Sequence, residues 1–258
     1  MLTVTNLTVF LGNRPVLQDI DFSAAAGHCT AILGPNGAGK STLLACLCGE
    51  HTRYQSQVRL DGVPLNHFKG SERARRMAVM PQSVSLSFPM RVHQVVAMGR
   101  SPYGDEMSTA GYQRDAMQLA GVWELRERVY PTLSGGEQQR VQLARVLLQI
   151  WEARLRHHPE QPYYLLLDEC TSALDPAHQH SVMQMVKEFA QAGVGVVAVM
   201  HDISLAASWA DQVIMLKNGK ISAQGDDSVL KDASCLQQVY DLPPALARAY
   251  SQQCAVWS

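Results

Sequence analysis

The sequence has no apolar run long enough to cross a membrane. Its longest runs, such as Val194 to Met200, cover less than half of the roughly 20 residues a spanning helix needs. Passage of any cargo through a bilayer would have to be made by another chain. The opening MLTVTNLTVF lacks a charged segment followed by an apolar stretch and a small-residue cleavage site, so no secretory signal is expected. Charge of one sign is missing too. With 22 Lys and Arg against 23 Asp and Glu, the formal net charge is -1, which gives no basic field to draw the chain onto phosphates, and no nucleic acid partner is expected. Cysteine is sparse and scattered: Cys29, Cys46, Cys48, Cys170, Cys235 and Cys254 are dispersed through 258 residues. A chain of that size, 47% hydrophobic, can bury a core without disulfide staples, and a reduced, cytosolic compartment fits best. Cys46 and Cys48 stand two apart in what reads as a helix, where they do not face each other. They suit neither a redox pair nor a zinc half-site and read as buried thiols.

What is present is α/β patterning. Leu2, Val4, Leu7 and Val9, a polar Gly12-Asn13-Arg14 turn, then Val16, Leu17 and Ile20 predict an antiparallel β layer. Short apolar runs at Cys29 to Leu33, Tyr164 to Leu167 and Val194 to Met200 alternate with helical patterns, the mark of a parallel sheet with crossover helices. Between Val84 and Ser134 strand signals vanish. Val92 to Met98 and Gln113 to Leu125 read there as helices around a Gly99 to Gly104 break. Val213 to Leu216, Lys217-Asn218-Gly219-Lys220 and Ile221 predict a hairpin, since Asn-Gly accepts the positive φ such a turn demands. The tail from about Asp226 reads as helical. The polar segment Trp151 to Pro162 carries adjacent His157 and His158 and reads as a solvated loop rather than a ligand site.

The densest chemistry lies at Gly34-Pro35-Asn36-Gly37-Ala38-Gly39-Lys40-Ser41, with Thr42 following. A G-x-x-x-x-G-K-S run between a strand and a helix is a phosphate loop. Its glycines let backbone N–H groups wrap phosphate oxygens, Lys40 neutralises β/γ charge, and Ser41 offers a hydroxyl to Mg²⁺. A second element, Tyr163 to Glu169, is an apolar strand that delivers Asp168 and Glu169 at its C-terminal end, the end at which open α/β sheets bind ligands. Asp168 suits Mg²⁺ through its water shell, and Glu169 suits a general base.

Between them, Leu133-Ser134-Gly135-Gly136-Glu137-Gln138-Gln139-Arg140 precedes a helical pattern in Val141, Leu143, Ala144 and Leu147. Ser134 and its glycines thus open a helix, another anion-binding terminus. The octapeptide resembles the ABC signature motif. With Gln82, Ser172-Ala173-Leu174-Asp175 and His201, it makes the chain similar to ABC ATPases from Leu2 to about Asp226. The resemblance implies a P-loop NTPase core of RecA type with an antiparallel β layer (1–83 and 141–225), a helical subdomain (84–140) and a C-terminal helical tail (226–258). It also implies a head-to-tail homodimer, in which the phosphate loop of one subunit and Leu133 to Glu137 of the other sandwich each ATP. By the same resemblance, Gln82 lies in the loop that senses Mg²⁺ and the γ-phosphate, His201 is the switch histidine, and Ser172 to Asp175 form the D-loop. Two positions depart from the pattern. Leu11 stands where the family usually stacks an aromatic ring on adenine, and strand alternation points Phe10, the neighbouring candidate, to the opposite face. Cys170 replaces the usual Pro after the catalytic Glu and leaves both carboxylates in place.

The stretch Phe88 to Arg100 resembles importers of iron chelates and cobalamin, and the insertion Trp151 to Pro162 is similar to that of haem-importer ATPases. This resemblance implies an ATPase subunit at the cytoplasmic face of a bacterial inner membrane. It would serve two permease subunits and, through them, a periplasmic haem-binding protein. Ferric siderophore or cobalamin stay open as cargo, as does a soluble ABC ATPase uncoupled from transport. A DNA-repair ABC ATPase is disfavoured, because no sustained heptads lie between Ser41 and Leu133.

Overall fold

In the computed structural model, which describes residues 1–82, 86, 88–104, 110–155 and 161–256, the opening alternation folds as a hairpin. β1 (Leu2–Leu11) and β2 (Arg14–Ala24) pair antiparallel, with Leu11 opposite Arg14. Leu2, Val4, Leu7 and Val9 are all buried, although strict two-residue alternation would turn Leu7 away from the face that holds Val4. The register breaks between those two residues, and Asn6 takes φ 49. The extra residue of this bulge returns the strand to its core face.

The chain continues through the fully buried β3 (Cys29–Leu33), α1 (Lys40–Leu47), β4 (Val58–Leu60) and β5 (Val63–Pro64). Then come α2 (Gly70–Arg76), β6 (Met77–Met80), α3 (Val92–Ala97), α4 (Ala110–Leu119), α5 (Gly135–Gln149), α6 (Glu152–Leu155), β7 (Tyr164–Asp168) and α7 (Pro176–Gln191). The last part is β8 (Gly195–Val199), α8 (Ile203–Trp209), β9 (Gln212–Lys217), β10 (Lys220–Gly225), α9 (Ser228–Lys231), α10 (Ala233–Tyr240) and α11 (Pro244–Val256). Cα packing divides the chain into two units, Met1–His67 with Gly195–Ser258, and Phe68–Val194.

In the first unit the antiparallel layer has the order β2-β1-β4-β5. A second layer pairs β3 in parallel with β8 on one side and β9 on the other, and β10 closes antiparallel on β9. Both strands that flank β3 are buried apolar runs, Val196 to Val199 in β8 and Val213 to Leu216 in β9, as strands covered on two faces require. The β9–β10 turn places Asn218 at φ 50 and Gly219 at φ 77, the two positive angles expected of Asn-Gly. Gly219 also packs on β2, where a Cβ would lie 2.3 Å from the Val16 carbonyl oxygen.

In the second unit β6 and β7 pair in parallel, Met77 opposite Tyr164 and Met80 opposite Leu167. α3 follows the sequence expectation closely. The helix expected over Gln113 to Leu125 instead runs from Ala110 to Leu119, and Trp123–Leu125 is a separate 3₁₀ turn. Gly121 is the reason: it sits at φ 64, donates to the Gln118 carbonyl at 3.0 Å, and leaves Val122 to donate to Met117 at 2.9 Å. That double bond is a Schellman stop, which a glycine in the left-handed region makes cheap. The Gly99 to Gly104 break is itself a 3₁₀ turn, Met98–Tyr103. It is anchored by Arg100, whose guanidinium forms a buried two-pronged pair with Glu152, at 2.7 and 3.0 Å, over the Tyr103 ring. His157 and His158 lie outside the described residues.

Candidate functional site

Chain direction at the phosphate loop is set by β3, which runs buried to Leu33, and by three glycines in conformations that L side chains rarely adopt: Gly34 at φ 142, Gly37 at φ 78 and Gly39 at φ 102. Gly34 is also needed for space, and Gly39 is closely packed. A Cβ at Gly34 would lie 2.1 Å from the Leu216 carbonyl oxygen, and one at Gly39 would lie 2.7 Å from Leu17 Cδ2. Ala38 donates its amide to Pro35, closing the loop at 3.2 Å. Lys40 opens α1 only 6% exposed, and its Nζ donates to the carbonyls of Gly34 at 2.8 Å and Pro35 at 3.0 Å. The ammonium is therefore held across the mouth of the loop before any ligand arrives. Asn36 and Ser41 are exposed and Thr42 is half-buried.

His201 follows β8, where Met200 donates its amide to Ile32 of β3 at 3.1 Å. It is exposed and lines an open cavity of about 630 Å³ with Asp202, Tyr240 and Tyr250. Asp202 caps α8, accepting from the Ser204 and Leu205 amides. Phe10 and Leu11 are both exposed near the hairpin tip, 46% and 50%. The Phe10 amide donates to the Tyr54 hydroxyl at 3.0 Å.

In the second unit, β7 delivers Asp168 and Glu169 half-buried at its C-terminal end. Glu169 adopts φ 51, a left-handed conformation that costs a glutamate on the order of 1 kcal/mol, strain of a kind that clusters at active sites. Gln82 Nε2 donates to Glu169 Oε2 at 2.7 Å, so these two candidates meet directly. Cys170, next in line, is buried, and burial pushes its thiol up to about 12. It therefore stays a neutral packing group.

The signature segment is a helix start. Ser134 caps α5: its Oγ accepts from the Glu137 amide at 3.3 Å, and its own amide donates to Glu137 Oε2 at 2.7 Å. This reciprocal pair is a capping box. The Ser134 amide holds the Glu137 carboxyl below its ordinary value, with the Ser134 hydroxyl, Arg128 and Arg140 adding to it. The stabilisation is therefore present at neutral pH and lost as pH falls through that lowered value. Ser134→Ala is expected to cost about 1 kcal/mol of stability, read as a lower urea midpoint with an unchanged slope. An unchanged midpoint would remove the cap from the account.

Gly136 lets Ser172 to Asp175 lie against this helix start. A Cβ on Gly136 would meet Leu174 Cδ2 at 3.1 Å and the Ala173 carbonyl oxygen at 3.3 Å. Gln139 ties the two segments, donating to Ser172 Oγ at 3.2 Å and accepting from the Ala173 amide at 3.3 Å. Asp175 caps α7, and the amide and imidazole of His178 hold its carboxyl below the ordinary range. Ser134 to Glu137 and Ala173 to Asp175 thus border one open cavity of about 470 Å³, together with Arg140. Leu133 is buried just before it. Gln82 shares a smaller cavity, about 250 Å³, with Gly135, Gln139 and Ser172.

Among the described residues no group of three or more His, Cys, Asp or Glu side chains gathers to hold a metal by itself. The hydroxyl of Ser41, the amide oxygen of Gln82 and the carboxylate of Asp168 are hard oxygen donors. Each is a donor of the type that Mg²⁺ takes. Tyr54 and Tyr240 carried no signal in the sequence, and Gln139, part of the octapeptide, gave none for its contacts with Ser172 and Ala173, since each contact joins residues far apart in the chain.

A family model for ABC transporters matches residues 17–172. The chain is 43% identical to the hemin import ATP-binding protein HmuV of Gloeobacter violaceus over 251 residues, 96% of this chain and 90% of that protein. It is also 43% identical to the protein of the same name from Pseudomonas putida, over 94% of this chain and 93% of that one. Among solved structures, the fold is similar to an ATP-binding subunit of an ABC transporter, with a TM-score of 0.76 at 22% identity over 97% of this chain and 99% of that one.

Proposed function

This chain belongs to the ABC transporter family, and from that premise we propose that it is the ATP-hydrolysing subunit that energises haem import through a membrane permease. The observation that carries the cargo is the similarity at 43% identity, along nearly the whole chain, to proteins named for hemin import. No helix among the described residues is long and apolar enough to cross a membrane. We therefore assign the membrane passage to two permease subunits, with this chain peripheral at the cytoplasmic face and a periplasmic haem-binding protein upstream.

The proposed cycle uses two copies of the chain. In each, Gly34 to Thr42 hold the ATP phosphates, with Lys40 against the β/γ charge and Phe10 a candidate against adenine. Leu133 to Glu137 of the other copy close on the same nucleotide through the N-terminus of α5. The lobes read from the sequence, 1–83 with 141–225 and 84–140, belong to this proposal, the helical one pressing on the permease as the copies close. Ser41, Gln82 and Asp168 would hold Mg²⁺, which supplies charge neutralisation on the β- and γ-phosphates when bound. Glu169 takes a proton from water as its oxygen attacks the γ-phosphorus, the bond to the β-phosphate oxygen breaks, and ADP and phosphate leave. Gln82 orients that carboxylate through the 2.7 Å bond to Oε2. His201 contacts the γ-phosphate, and Ser172 to Asp175 link the two sites.

A bacterium deprived of this gene should fail to grow with haem as its only iron source and grow normally on ferric siderophore or inorganic iron. Growth on haem with loss on a siderophore, or a cobalamin requirement, would replace the cargo. No growth defect under any condition would favour an ATPase uncoupled from transport.

A further inference from the structure

The tail carries no motif, yet α10 ends on the first glycine of the phosphate loop. Tyr240, its last residue, accepts a hydrogen bond from the Gly34 amide at 3.1 Å. The residues on either side of it are tied to β9: Lys217 Nζ donates to the Gln238 carbonyl and, at 2.7 Å, to Asp241 Oδ1. β9 runs beside β3 with Met215 opposite Leu33, and Gly34 follows Leu33. Asp241 stops α10 at φ 56 and leaves the ring facing the loop. The same ring lines the cavity that holds His201, together with Leu242, Tyr250 and Gln253. Burial pushes the phenol up to about 12, so at neutral pH the hydroxyl keeps its proton.

The peptide groups on both sides of Gly34 are thereby held, the N–H by Tyr240 and the carbonyl by Lys40 Nζ at 2.8 Å. At φ 142 Gly34 has no side chain to hold it, and the freedom that lets glycine adopt this angle also lets it leave. A loop that binds phosphate through its backbone gains affinity when its groups are ordered beforehand. We propose that Tyr240 is a positioning residue for ATP binding, through which the C-terminal helices hold the phosphate loop in its binding shape. The inference rests on Gly34 to Ser41 being the phosphate cradle.

The test is equilibrium binding of MgATP to the purified full-length chain, with steady-state ATPase kinetics and thermal unfolding alongside. Tyr240→Phe keeps the ring and removes the hydroxyl. Its Kd and KM for MgATP should rise about three- to tenfold, with kcat within twofold of the parent. Lys217→Met, which leaves Tyr240 in place and unties α10 from β9, should move Kd in the same direction, and it carries the test should the first variant not fold. Unchanged Kd in both, even with a lower Tm, reduces Tyr240 to an anchor of the tail and overturns the proposal. So does a fall in kcat at constant KM. Lys40→Ala separates the two levels. If it binds MgATP like the parent, the phosphate cradle itself is wrong; if it loses binding while Tyr240→Phe keeps it, only the brace is.

Discussion

Glu169→Gln is expected to bind MgATP with near-parent affinity and to turn it over about 10²–10⁴-fold more slowly, the range that a positioned general base contributes. The substitution isolates one property. Glutamine has the same shape, so the left-handed backbone at φ 51 is asked to hold an equally bulky side chain. Its carbonyl oxygen can still accept from Gln82 Nε2, the contact that spans 2.7 Å in the parent. What disappears is basicity, and a neutral amide cannot accept the proton that the attacking water must lose. Phosphate release against time measures the loss, and nucleotide titration checks that binding survives. Dimer formation in the presence of MgATP, followed by light scattering, should persist, because the signature segment of each copy is untouched. Full turnover would remove Glu169 from the role of base and direct attention to His201.

Much of the fold was legible where sequence and local geometry carry the same information. The β1–β2 and β9–β10 hairpins follow from alternation and Asn218-Gly219, buried β3 and β8 from their short apolar runs, and the start of α5 from Ser134 and its glycines. The bulge at Asn6 was half legible: Val4 and Leu7 are out of phase, and only pairing with β2 shows that an inserted residue restores the face. β6 was not read. Four apolar-rich residues after Arg73 to Arg76 are too short a run to stand out, and what makes them a strand is pairing with β7. α4 was placed too far along because the apolar positions continue past Gly121, where backbone conformation overrules periodicity.

The candidate site divides in the same way. Its residues announce themselves because phosphate chemistry demands rare local sequences. The contacts that position them do not: Gln139 bridges to Ser172 and Ala173, Gln82 reaches Glu169, and Tyr240 reaches Gly34 across 206 positions. A glutamine or tyrosine gives no pattern for such a reach. This is why the tail read as mute, although it touches the loop on which nucleotide binding is proposed to depend.

Lys40→Ala is expected to weaken MgATP binding by about 100-fold, the equivalent of losing one buried charged donor. Lys40 is only 6% exposed, and its ammonium already sits between the carbonyls of Gly34 and Pro35 at 2.8 and 3.0 Å. Most of the entropy of ordering a long side chain is therefore spent during folding rather than during binding. A phosphate oxygen entering the loop meets a cation already in place, in surroundings that screen it far less than water does. Alanine removes that charge while preserving the start of α1, since it is the better helix former. It also leaves two loop carbonyls without their donor, so the loop loses order as well as charge. The loss should be larger for MgATP than for MgADP, because Lys40 is assigned to the β/γ junction and the γ-phosphate is the group ADP lacks. Parallel titrations with the two nucleotides measure that difference. An equal loss for both would place the ammonium on the β-phosphate alone, and parent-like affinity for both would move the phosphate site away from Gly34 to Ser41.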